Sequence, residues 1–591
     1  MNSNVKQAFE GPMSKLSNHF LPLTLALFAL VSCGPKPIAL DMAKLPERPR
    51  GPSSQMSDIA SMHIRQATSQ GDIKKAISLY KDRFEQKKTH DFPLLRSLAT
   101  KVLLKGLASS DPQMQLMSVF ASAFARSSHL IPCLHSALSS QVPMVQLAAV
   151  HALDALEDTR ATQGLFDAMR SNYPLVRFEA ISRLSAKRHP EAFEQAESLM
   201  YKLPIELQPF FSDLFAVIGH KVAESALKKQ MLSPSHILRA RAINAAARHK
   251  LGSCLPDIQK ALSHSHILEL ESAAYAVGIF GDESALKRLE ELSSRRENTL
   301  SMAALISRHR LGDLKARDAI TERAKKGDLF ALSTLSEMPK SAPLLEKLLK
   351  SPNADVRLGS TLALLRLANS TALETAYEFL LAPDLGFSLE VSASGALEAF
   401  CVRSLHSDTL KKRPDILSSS KRLAHTIIFS AASLGTEAFI PFAKKLLFSR
   451  RTDLVPLVAQ ALTLVDHEEA IKLLKECKDA PGMPFLRAEA NLTLFYLTKE
   501  EPYFDEIKAW ALKELSHKTI KLEPTQPTLT QHGEVAFELK AEEKTELFLK
   551  ALLVIAQYES DKSALLFLQA MEKAPPSLQC ALAALLIQAL Q

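Results

Sequence analysis

The sequence contains little glycine and almost no tryptophan. Its 591 residues include 18 Gly and one Trp, and aromatic residues make up only 6%. A glycine-rich phosphate-binding loop has few places to form in such a chain, and the sequence contains no such loop. Leu and Ala are abundant instead, and both enter a helix at little cost in free energy. The composition therefore favours a helical protein without a nucleotide-binding turn.

Cysteine is also scarce, and its spacing fits neither a disulfide framework nor a metal site. The chain has six cysteines and no Cys-x-x-Cys pair. Besides Cys33 they are Cys133, Cys254, Cys401, Cys477 and Cys580. We expect these five to be buried thiols that pack as small apolar side chains. His264 and His266 lack a cysteine or carboxylate at ligand spacing, so we expect no metal and no cofactor.

The charge of the chain is nearly balanced. Lys and Arg together number 72 and Asp and Glu number 64, which gives a formal net charge of +8 at pH 7. This excess is modest for the length of the chain and far from the dense basic surface of a dedicated nucleic-acid-binding protein. We therefore expect no nucleic-acid partner.

A short apolar run near the amino terminus ends at a cysteine. Leu21–Val31 has a length that suits a secretion signal and is too short to span a bilayer. The tetrapeptide that closes it, Leu30-Val31-Ser32-Cys33, resembles the lipobox of bacterial lipoproteins. The resemblance implies that Cys33 is acylated and that the chain is cut just before it. The alternative is a buried apolar helix that happens to end in a cysteine.

The residues around this segment refine the expectation. Met13 is an alternative start, which would leave a compact signal with Lys15 in its charged region. The stretch after Cys33, "GPKPIALDMAKLPERPRGPSSQ", is rich in proline and is predicted to be an extended tether. By resemblance to other lipoproteins, Gly34, a residue other than Asp at that position, implies the outer rather than the inner membrane. We expect a bacterial envelope protein whose body faces the periplasm or the exterior.

One apolar pattern recurs through the rest of the chain, which is too long for a single compact core. Small or apolar residues at i, i+4, i+5 and i+8 share one helical face, and the set that begins at Val145 recurs 31 residues later at Val176. The first residues of the successive sets, here called anchors, are Met114, Val145, Val176, Leu207, Leu238, Leu268, Leu300, Leu329, Val356, Leu389, Leu423, Leu454 and Leu486. Most gaps between anchors are 30–32 residues. A second apolar stripe precedes each anchor, so each period is predicted to be a pair of antiparallel helices.

No single pair of helices can bury its apolar stripe alone, but stacking against the next pair does so. The sequence therefore predicts an all-α fold, an α-solenoid of about 13–15 antiparallel helical hairpins that pile end to end in a right-handed superhelix. The segments "NADVRLGSTLALLRL", "PLVRFEAISRL" and "GDESALKRLEEL" resemble the short HEAT repeats of the phycobilin-lyase type. This resemblance is specific for fold and says almost nothing about activity.

Four arginines lie at the position of the repeat where HEAT proteins commonly have arginine: Arg177, Arg239, Arg357 and Arg487. The resemblance implies that such an arginine pairs with a carboxylate or carbonyl group at the turn of a neighbouring copy. Direct contact with a bound partner is the alternative for the same four residues.

The predicted organisation has six segments. They are a signal peptide at 1–32, a proline-rich tether at 33–56, a helical cap at 57–97, HEAT-like repeats at 98–515, an inserted loop or β-hairpin at 516–540, and terminal helical repeats at 541–591. The insertion is predicted because apolar and polar residues alternate on both sides of a loop rich in Pro, Gly and Thr. It is either a specialised contact or a tolerated surface loop.

These patterns predict a lipid-anchored scaffold for protein–protein interaction, not an enzyme, and we assign no catalytic residue. The expected partners are the membrane, through Cys33, and an envelope protein or peptide, with no small-molecule substrate. One alternative is a HEAT-like enzyme of the bilin-lyase or base-excision type. The sole Trp510 lies outside the regular repeats, which weighs against the base-excision type. Another is a cytoplasmic nucleic-acid-binding solenoid, if the signal is not used.

Overall fold

The computed structural model of the protein describes residues 59–382, 385–405, 415–449, 451–516, 541–558 and 560–590. The described residues fall into two compact units. The first unit contains those up to Leu184 and those from Phe504 onward, and the second contains Ser185–Tyr503. Most of the predicted insertion, residues 517–540, lies outside the described residues, so that interpretation stays a prediction.

The first unit is built from helices at both ends of the chain. They are α1 (Ile59–Ser69), α2 (Ile73–Lys87), α3 (Phe92–Leu107), α4 (Pro112–Ala125), α5 (Ile131–Ala137), α6 (Pro143–Asp154), α7 (Thr159–Ala168) and α8 (Pro174–Ala186), followed much later by α27 (Glu501–Ser516), α28 (Ala541–Tyr558), α29 (Ser560–Lys573) and α30 (Pro576–Ala589). The unit boundaries fall inside α8 and α27.

The second unit continues the pairs of helices and includes a two-stranded sheet. Its elements are α9 (Glu191–Lys202), α10 (Phe210–Ile218), α11 (Lys221–Met231), α12 (His236–Arg248), α13 (Leu255–Ala261), α14 (Ile267–Phe280), α15 (Leu286–Ser293), α16 (Asn298–Arg310), α17 (Leu314–Lys325), α18 (Leu329–Thr334), α19 (Ala342–Leu348), α20 (Ala354–Arg366), α21 (Leu373–Leu381), β1 (Leu385–Val391), β2 (Glu398–Ser404), α22 (Asp415–Ala432), α23 (Thr436–Leu447), α24 (Val455–Leu462), α25 (His467–Lys478) and α26 (Pro484–Thr498). Successive pairs pack on each other, which confirms the predicted all-α class of stacked helical hairpins.

Most of the predicted anchors lie in the apolar core. Eight of them are no more than 4% exposed: Val145, Val176, Leu238, Leu300, Val356, Leu423, Leu454 and Leu486. Met114, Leu268 and Leu329 also belong to helices but are only half-buried. Two anchors were assigned wrongly, because Leu207 lies in a turn and Leu389 lies in strand β1. The repeat pattern thus places eight of the thirteen anchors in the core and fails where the chain leaves the helical repeat.

A serine five residues before the anchor closes the turn between the paired helices in several repeats. Its Oγ accepts a hydrogen bond from the backbone N–H two residues further on, at 3.1–3.2 Å. These serines are Ser109, Ser140 and Ser171 in the first unit and Ser233, Ser351 and Ser449 in the second. Serine hydroxyls satisfy the free N–H groups of turns in this way. The turn geometry recurs because the same residue recurs.

In the first unit the turns are also linked by glutamines that follow the anchors. The Gln115 side chain donates to the carbonyl of Ser109 (2.7 Å) and accepts from the hydroxyl of Ser140 (2.7 Å). Gln146 repeats the arrangement, donating to the carbonyl of Ser140 (2.7 Å) and accepting from Ser171 (2.6 Å). Each repeat is therefore hydrogen-bonded to the next along a row of turns, in addition to its apolar contact.

The sheet is a single antiparallel hairpin inside the second unit. Its register pairs Leu385 with Ser404 and Val391 with Glu398, and the intervening six residues form the tip. A side chain accepts from one outer N–H of each strand: the N–H of Val402 donates to Asp355 (2.6 Å), and that of Phe387 donates to Ser420 (3.0 Å). Side chains that occupy free edge groups in this way prevent further strand pairing there.

The last helix of the chain packs against helices from the beginning of the chain. Within the first unit, α30 packs against α3 and α4, and α29 packs against α2. Arg96 donates to the carbonyl of Leu590 (3.2 Å), and Lys81 forms an ion pair with Glu572. The expectation of repeats that pile end to end from first to last is therefore wrong for the two ends. Helix α30 has buried residues on every side, and this apolar surface is covered by the first helices.

Among the described helices, none is both long enough and apolar enough to cross a membrane.

Candidate protein-interaction surface

The sequence-predicted site residues are not brought together. The lipobox residues Leu30, Val31, Ser32 and Cys33 lie outside the described part of the chain. The four repeat arginines lie on separate helices, with Arg177 on α8 in the first unit and the other three on α12, α20 and α26 in the second. The structure therefore places the arginines as separate members of the repeat pattern, and they do not form one cluster.

Two of these arginines bind the turn of their own repeat. Arg239 donates to the carbonyl of Ser233, and Arg357 donates to the carbonyl of Ser351 at 2.8 Å. In each case the acceptor is the serine that closes the turn, six residues earlier. They occupy the place that glutamine takes in the first unit, so arginine and glutamine serve the same turn.

The remaining two arginines differ from this arrangement. Arg487 donates through Nε to the carbonyl of Lys478 at 3.0 Å. Arg177 is half-buried, and its Nε is buried without a hydrogen-bond partner. The common sequence position therefore does not produce one common contact.

Arg239 also reaches the next repeat, where it meets a buried carboxylate. It forms an ion pair with Glu269 on α14, whose side chain is fully buried. His264 approaches the other carboxylate oxygen at 2.5 Å. Burial alone raises the pKa of Glu269, but the hydrogen bonds from Arg239 and His264 outweigh it and hold that pKa below its ordinary value. The charged form of Glu269 is thus the one that the fold stabilises.

The same two helices, α12 and α14, bind the tip of the hairpin. The Asn244 amide donates to the carbonyl of Ser394 at 2.8 Å, and the Ser394 hydroxyl donates to Glu271 at 2.6 Å. Thr299 donates to the second oxygen of Glu271 at 2.7 Å. Asn244 and Glu271 precede Ser394 by 150 and 123 residues, so only the tertiary fold brings them together. We call Asn244, Glu271 and Thr299 the tip seat.

The tip itself is a turn held by its own hydrogen bonds. The N–H of Gly395 donates to the carbonyl of Ser392 (2.8 Å), and the N–H of Ala396 donates to the Ser394 hydroxyl (3.1 Å). Gly395 has a φ of +80°, and a Cβ built on it would lie 2.9 Å from the guanidinium carbon of Arg241. The left-handed backbone favours glycine at this position, and an added Cβ would have to displace the flexible guanidinium end of Arg241. The tip therefore presents backbone, not a bulky side chain, to α12.

The tip seat was missed by sequence reasoning, and only part of it had a signal. The stretch "LGFSLEVSASGALEAFCVRS" alternates along two runs around a Ser-Gly turn, which is a hairpin pattern. The 31-residue frame instead assigned Leu389 to a helix. Nothing near Asn244 or Glu271 in the sequence distinguishes them from other polar residues on helices.

The buried thiols offer little chemistry. The five described cysteines are free and buried, as predicted. Burial raises the pKa of the Cys133 and Cys580 thiols to about 11 and that of Cys477 to about 12, which keeps these thiols protonated at neutral pH. Among the described residues, no group of three or more His, Cys, Asp or Glu side chains is placed to hold a metal ion.

Residues 100–185 match the family profile of HEAT repeats, which confirms the predicted resemblance for that part of the chain. No curated protein matches the chain. Solved structures give low similarity. Human deoxyhypusine hydroxylase in complex with glycerol is 15% identical, with a TM-score of 0.22 over 52% of this chain and 97% of its own.

Two further solved structures are similar at the same low level. The CpcE and CpcF complex of phycocyanin lyase from Nostoc sp. PCC7120 is 15% identical, with a TM-score of 0.18 over 47% of this chain and 91% of its own. A karyopherin bound to the extreme C-terminus of a protein phosphatase is 10% identical, with a TM-score of 0.29 over 91% of this chain and 79% of its own. All three TM-scores are below 0.5, so we carry nothing from these proteins to this chain. The repeat architecture itself is of the kind that suits a protein-interaction scaffold.

Proposed function

We propose that this protein is a lipid-anchored, non-catalytic scaffold of the bacterial cell envelope that binds a protein partner through its helical repeats. The observation that carries the binding part is the contact between the repeat helices and the hairpin tip. Helices α12 and α14 bind a non-helical segment through its backbone carbonyl and a hydroxyl group. A repeat surface that recognises one such segment has the chemistry to recognise a segment of another protein.

The anchoring part of the proposal rests on the sequence. The apolar run that ends at Cys33 supports acylation of this residue, and the proline-rich tether would separate the body from the membrane. The 22 residues that follow Cys33 reach about 70 Å in the polyproline II conformation, at roughly 3.1 Å per residue. Such a reach would let the repeats meet a partner away from the lipid surface.

Metabolic labelling with a palmitate analogue tests the anchor. The wild-type chain is expected to take up the label, Cys33→Ala is expected to lose it completely, and Cys254→Ala is expected to keep it. Cys254 is the matched control because it is a buried thiol of the folded body. An unlabelled wild-type chain, in cells where a known lipoprotein is labelled, would reject the anchor.

Membrane fractionation tests the location. We expect the wild-type protein in the outer-membrane fraction and Gly34→Asp in the inner-membrane fraction. Equal distribution of both chains would contradict the role proposed for residue 34. The body would face the periplasm or the exterior in either case, which protease protection in intact and permeabilised cells would check.

Partner capture tests the scaffold. The full-length, affinity-tagged chain is cross-linked in cells, extracted from membranes with detergent and analysed by mass spectrometry. A specific envelope protein should be enriched relative to an unrelated lipoprotein carried through the same steps. Failure to enrich any protein over that control would count against the scaffold function and reopen the enzymatic alternatives.

A further inference from the structure

We propose that the hairpin tip, residues 392–397, is an intramolecular occupant of a partner-binding face on α12 and α14, so that a partner segment must displace it. The inference rests on the proposed scaffold function. It names the surface that would bind the partner, the tip seat, and the chemistry that the partner would present there. The chemistry is that of a protein turn with a small hydroxyl side chain and accessible backbone groups.

The tip and the base of the hairpin are held by different parts of the second unit. Asp355 and Ser420, on α20 and α22, each accept a hydrogen bond from an outer N–H of one strand. The tip alone reaches Asn244 and Glu271, on α12 and α14. The strands can therefore keep their attachment while the tip leaves the seat.

The contacts at the seat recognise backbone and hydroxyl groups. Asn244 takes a carbonyl group, Glu271 takes a hydroxyl group, and Arg241 lies against the backbone of Gly395. None of these contacts depends on a large side chain of the tip. Another turn of similar backbone shape, with Ser or Thr in the place of Ser394, fits the same groups.

The seat contains a hydrogen-bonding group that the tip does not satisfy. Asn244 is only 4% exposed, and its Oδ1 has no hydrogen-bond partner although its Nδ2 is used. Buried amide oxygens are almost always paired, so an unpaired one is an exception that needs a reason. A partner that offers a backbone N–H at this point would bind the seat with one hydrogen bond more than the tip does.

The buried carboxylate of Glu271 supports the same view. The side chain is fully buried on α14, and it accepts hydrogen bonds from the hydroxyls of Ser394 and Thr299. Burying a carboxylate costs desolvation free energy, and apolar packing would hold a loop in place without that cost. Its presence is understandable if the position selects a hydroxyl-bearing ligand.

The first test uses the full-length chain and the hairpin as its own probe. In the variant, residues 393–396 are replaced by Asn-Gly, a two-residue turn that is closed by the hydrogen-bonded pair Ser392 and Leu397 and keeps the strands paired. The probe is a fluorescein-labelled, head-to-tail cyclised peptide of residues 385–404. We expect the shortened variant to bind the probe at least tenfold more tightly than the wild-type chain, whose seat is occupied.

Substitutions in the seat show whether the probe binds there. Adding Asn244→Ala or Glu271→Leu to the shortened variant should weaken probe binding at least tenfold, whereas Gln259→Ala, at an exposed position on α13, should leave it unchanged. Circular dichroism confirms that each chain is folded. Equal binding by the wild-type and shortened chains, or no binding by the shortened chain, would overturn the proposal.

A second test does not need the shortened loop to fold. Gly395→Ala places a methyl group against Arg241, whereas Gly281→Ala has a similar positive φ of +71° with no atom within 4 Å of the added Cβ. Hydrogen exchange at Ala396 and Leu397 should be at least tenfold faster in Gly395→Ala than in Gly281→Ala, with exchange at Val402 unchanged. Acceleration along both strands together, or none at the tip, would show that the tip does not leave separately.

Partner capture then separates this inference from the scaffold function. The shortened variant should recover several times more of the partner than the wild-type chain does. Equal recovery would reject the role of the tip and leave the scaffold function standing. Recovery of nothing by either chain would count against the scaffold function itself, whatever the outcome of the probe experiment.

Discussion

Gly278 on α14 lies so close to Ser307 on α16 that a Cβ built on the glycine would be 2.6 Å from the Ser307 Cα. The contact joins successive repeats in the second unit, and the serine hydroxyl next to it donates to the carbonyl of Tyr275 at 3.3 Å. Backbone atoms cannot yield as a flexible side chain can. The spacing of these two repeats is therefore set by the absence of a side chain at position 278.

Replacing Gly278 should destabilise the second unit even though alanine favours helix formation. We expect Gly278→Ala to lower the free energy of unfolding by up to about 2 kcal/mol, because an overpacking cost of about 1–3 kcal/mol is only partly offset by the roughly 1 kcal/mol gained in helix propensity. Hydrogen exchange of the core amides of α14 and α16 measures the loss. Gly252→Ala, with no atom within 4 Å of its added Cβ, is the control and should not speed exchange. Unchanged protection in Gly278→Ala would contradict the close contact.

The row of turns in the first unit should depend on its glutamines. We expect Gln146→Ala to lower the free energy of unfolding by about 1–3 kcal/mol, because it leaves the carbonyl of Ser140 and the hydroxyl of Ser171 without their partner. The single tryptophan, Trp510, belongs to this unit, so urea unfolding followed by its fluorescence measures the effect. The exposed Gln163→Ala should change stability by no more than about 0.5 kcal/mol. Equal effects would mean that the row contributes nothing.

The first unit should lose stability in acid through Glu179. Burial alone would raise the pKa of this carboxyl, but hydrogen bonds and charge from His151 and Arg183 hold it at about 2. A folded-state pKa below the unfolded value of 4.5 gives stability that is fully present above pH 4.5 and is lost as the pH falls toward 2. Between pH 6 and 3.5 the loss should be about 1 kcal/mol, since a pKa difference of one between the folded and unfolded states corresponds to about 1.4 kcal/mol.

The control for Glu179 is a variant that cannot titrate at that position. Glu179→Gln should be less stable than the wild type at pH 6, and the difference should shrink by about 1 kcal/mol at pH 3.5. Glu194→Gln, at an exposed position of the second unit, should leave the acid dependence of the Trp510 signal as it is in the wild type. A constant difference between Glu179→Gln and wild type across this pH range would contradict the assignment.

The base of the hairpin should depend on the carboxylate that accepts a hydrogen bond from its edge. Asp355→Ala removes the acceptor of the Val402 N–H and should cost about 1 kcal/mol, which corresponds to roughly fivefold faster exchange of that amide. Asp355→Asn keeps an acceptor oxygen and should restore most of the protection. If Asp355→Asn exchanges as fast as Asp355→Ala, the edge contact is not what protects the strand.

Sequence periodicity predicted the helical repeats because burial repeats with the same period as the residues that cause it. Val145 and Val176 are both fully buried, and the same frame gives a buried Leu486 more than 300 residues later. The turn serines follow the same frame, since each hydroxyl satisfies an N–H two residues away. Contacts between residues so close in the chain depend only on their spacing, so they can be predicted from the sequence.

The wrong predictions concern features that the apolar frame does not count, namely a turn and contacts between distant helices. Leu389 fits the apolar frame, yet it lies in a strand, because the frame counts apolar residues and ignores the Ser-Gly turn that follows at Ser394 and Gly395. The partnership of α30 with α3 and α4 was equally absent from the frame. Period counting compares neighbours in the chain and takes no account of a helix that packs against others over 450 residues earlier.

The sequence by itself determined the helical class, the length of the repeat and the residues that close its turns, because these depend on side chains within one or two periods of each other. Only the tertiary structure decided that the last helix packs against the first ones and that Ser394 reaches Asn244 and Glu271. Those contacts form between groups that are distant in the sequence, and no local pattern indicates that they pair. Their formation depends on how the intervening helices stack, since that stacking sets which distant groups come within hydrogen-bonding distance.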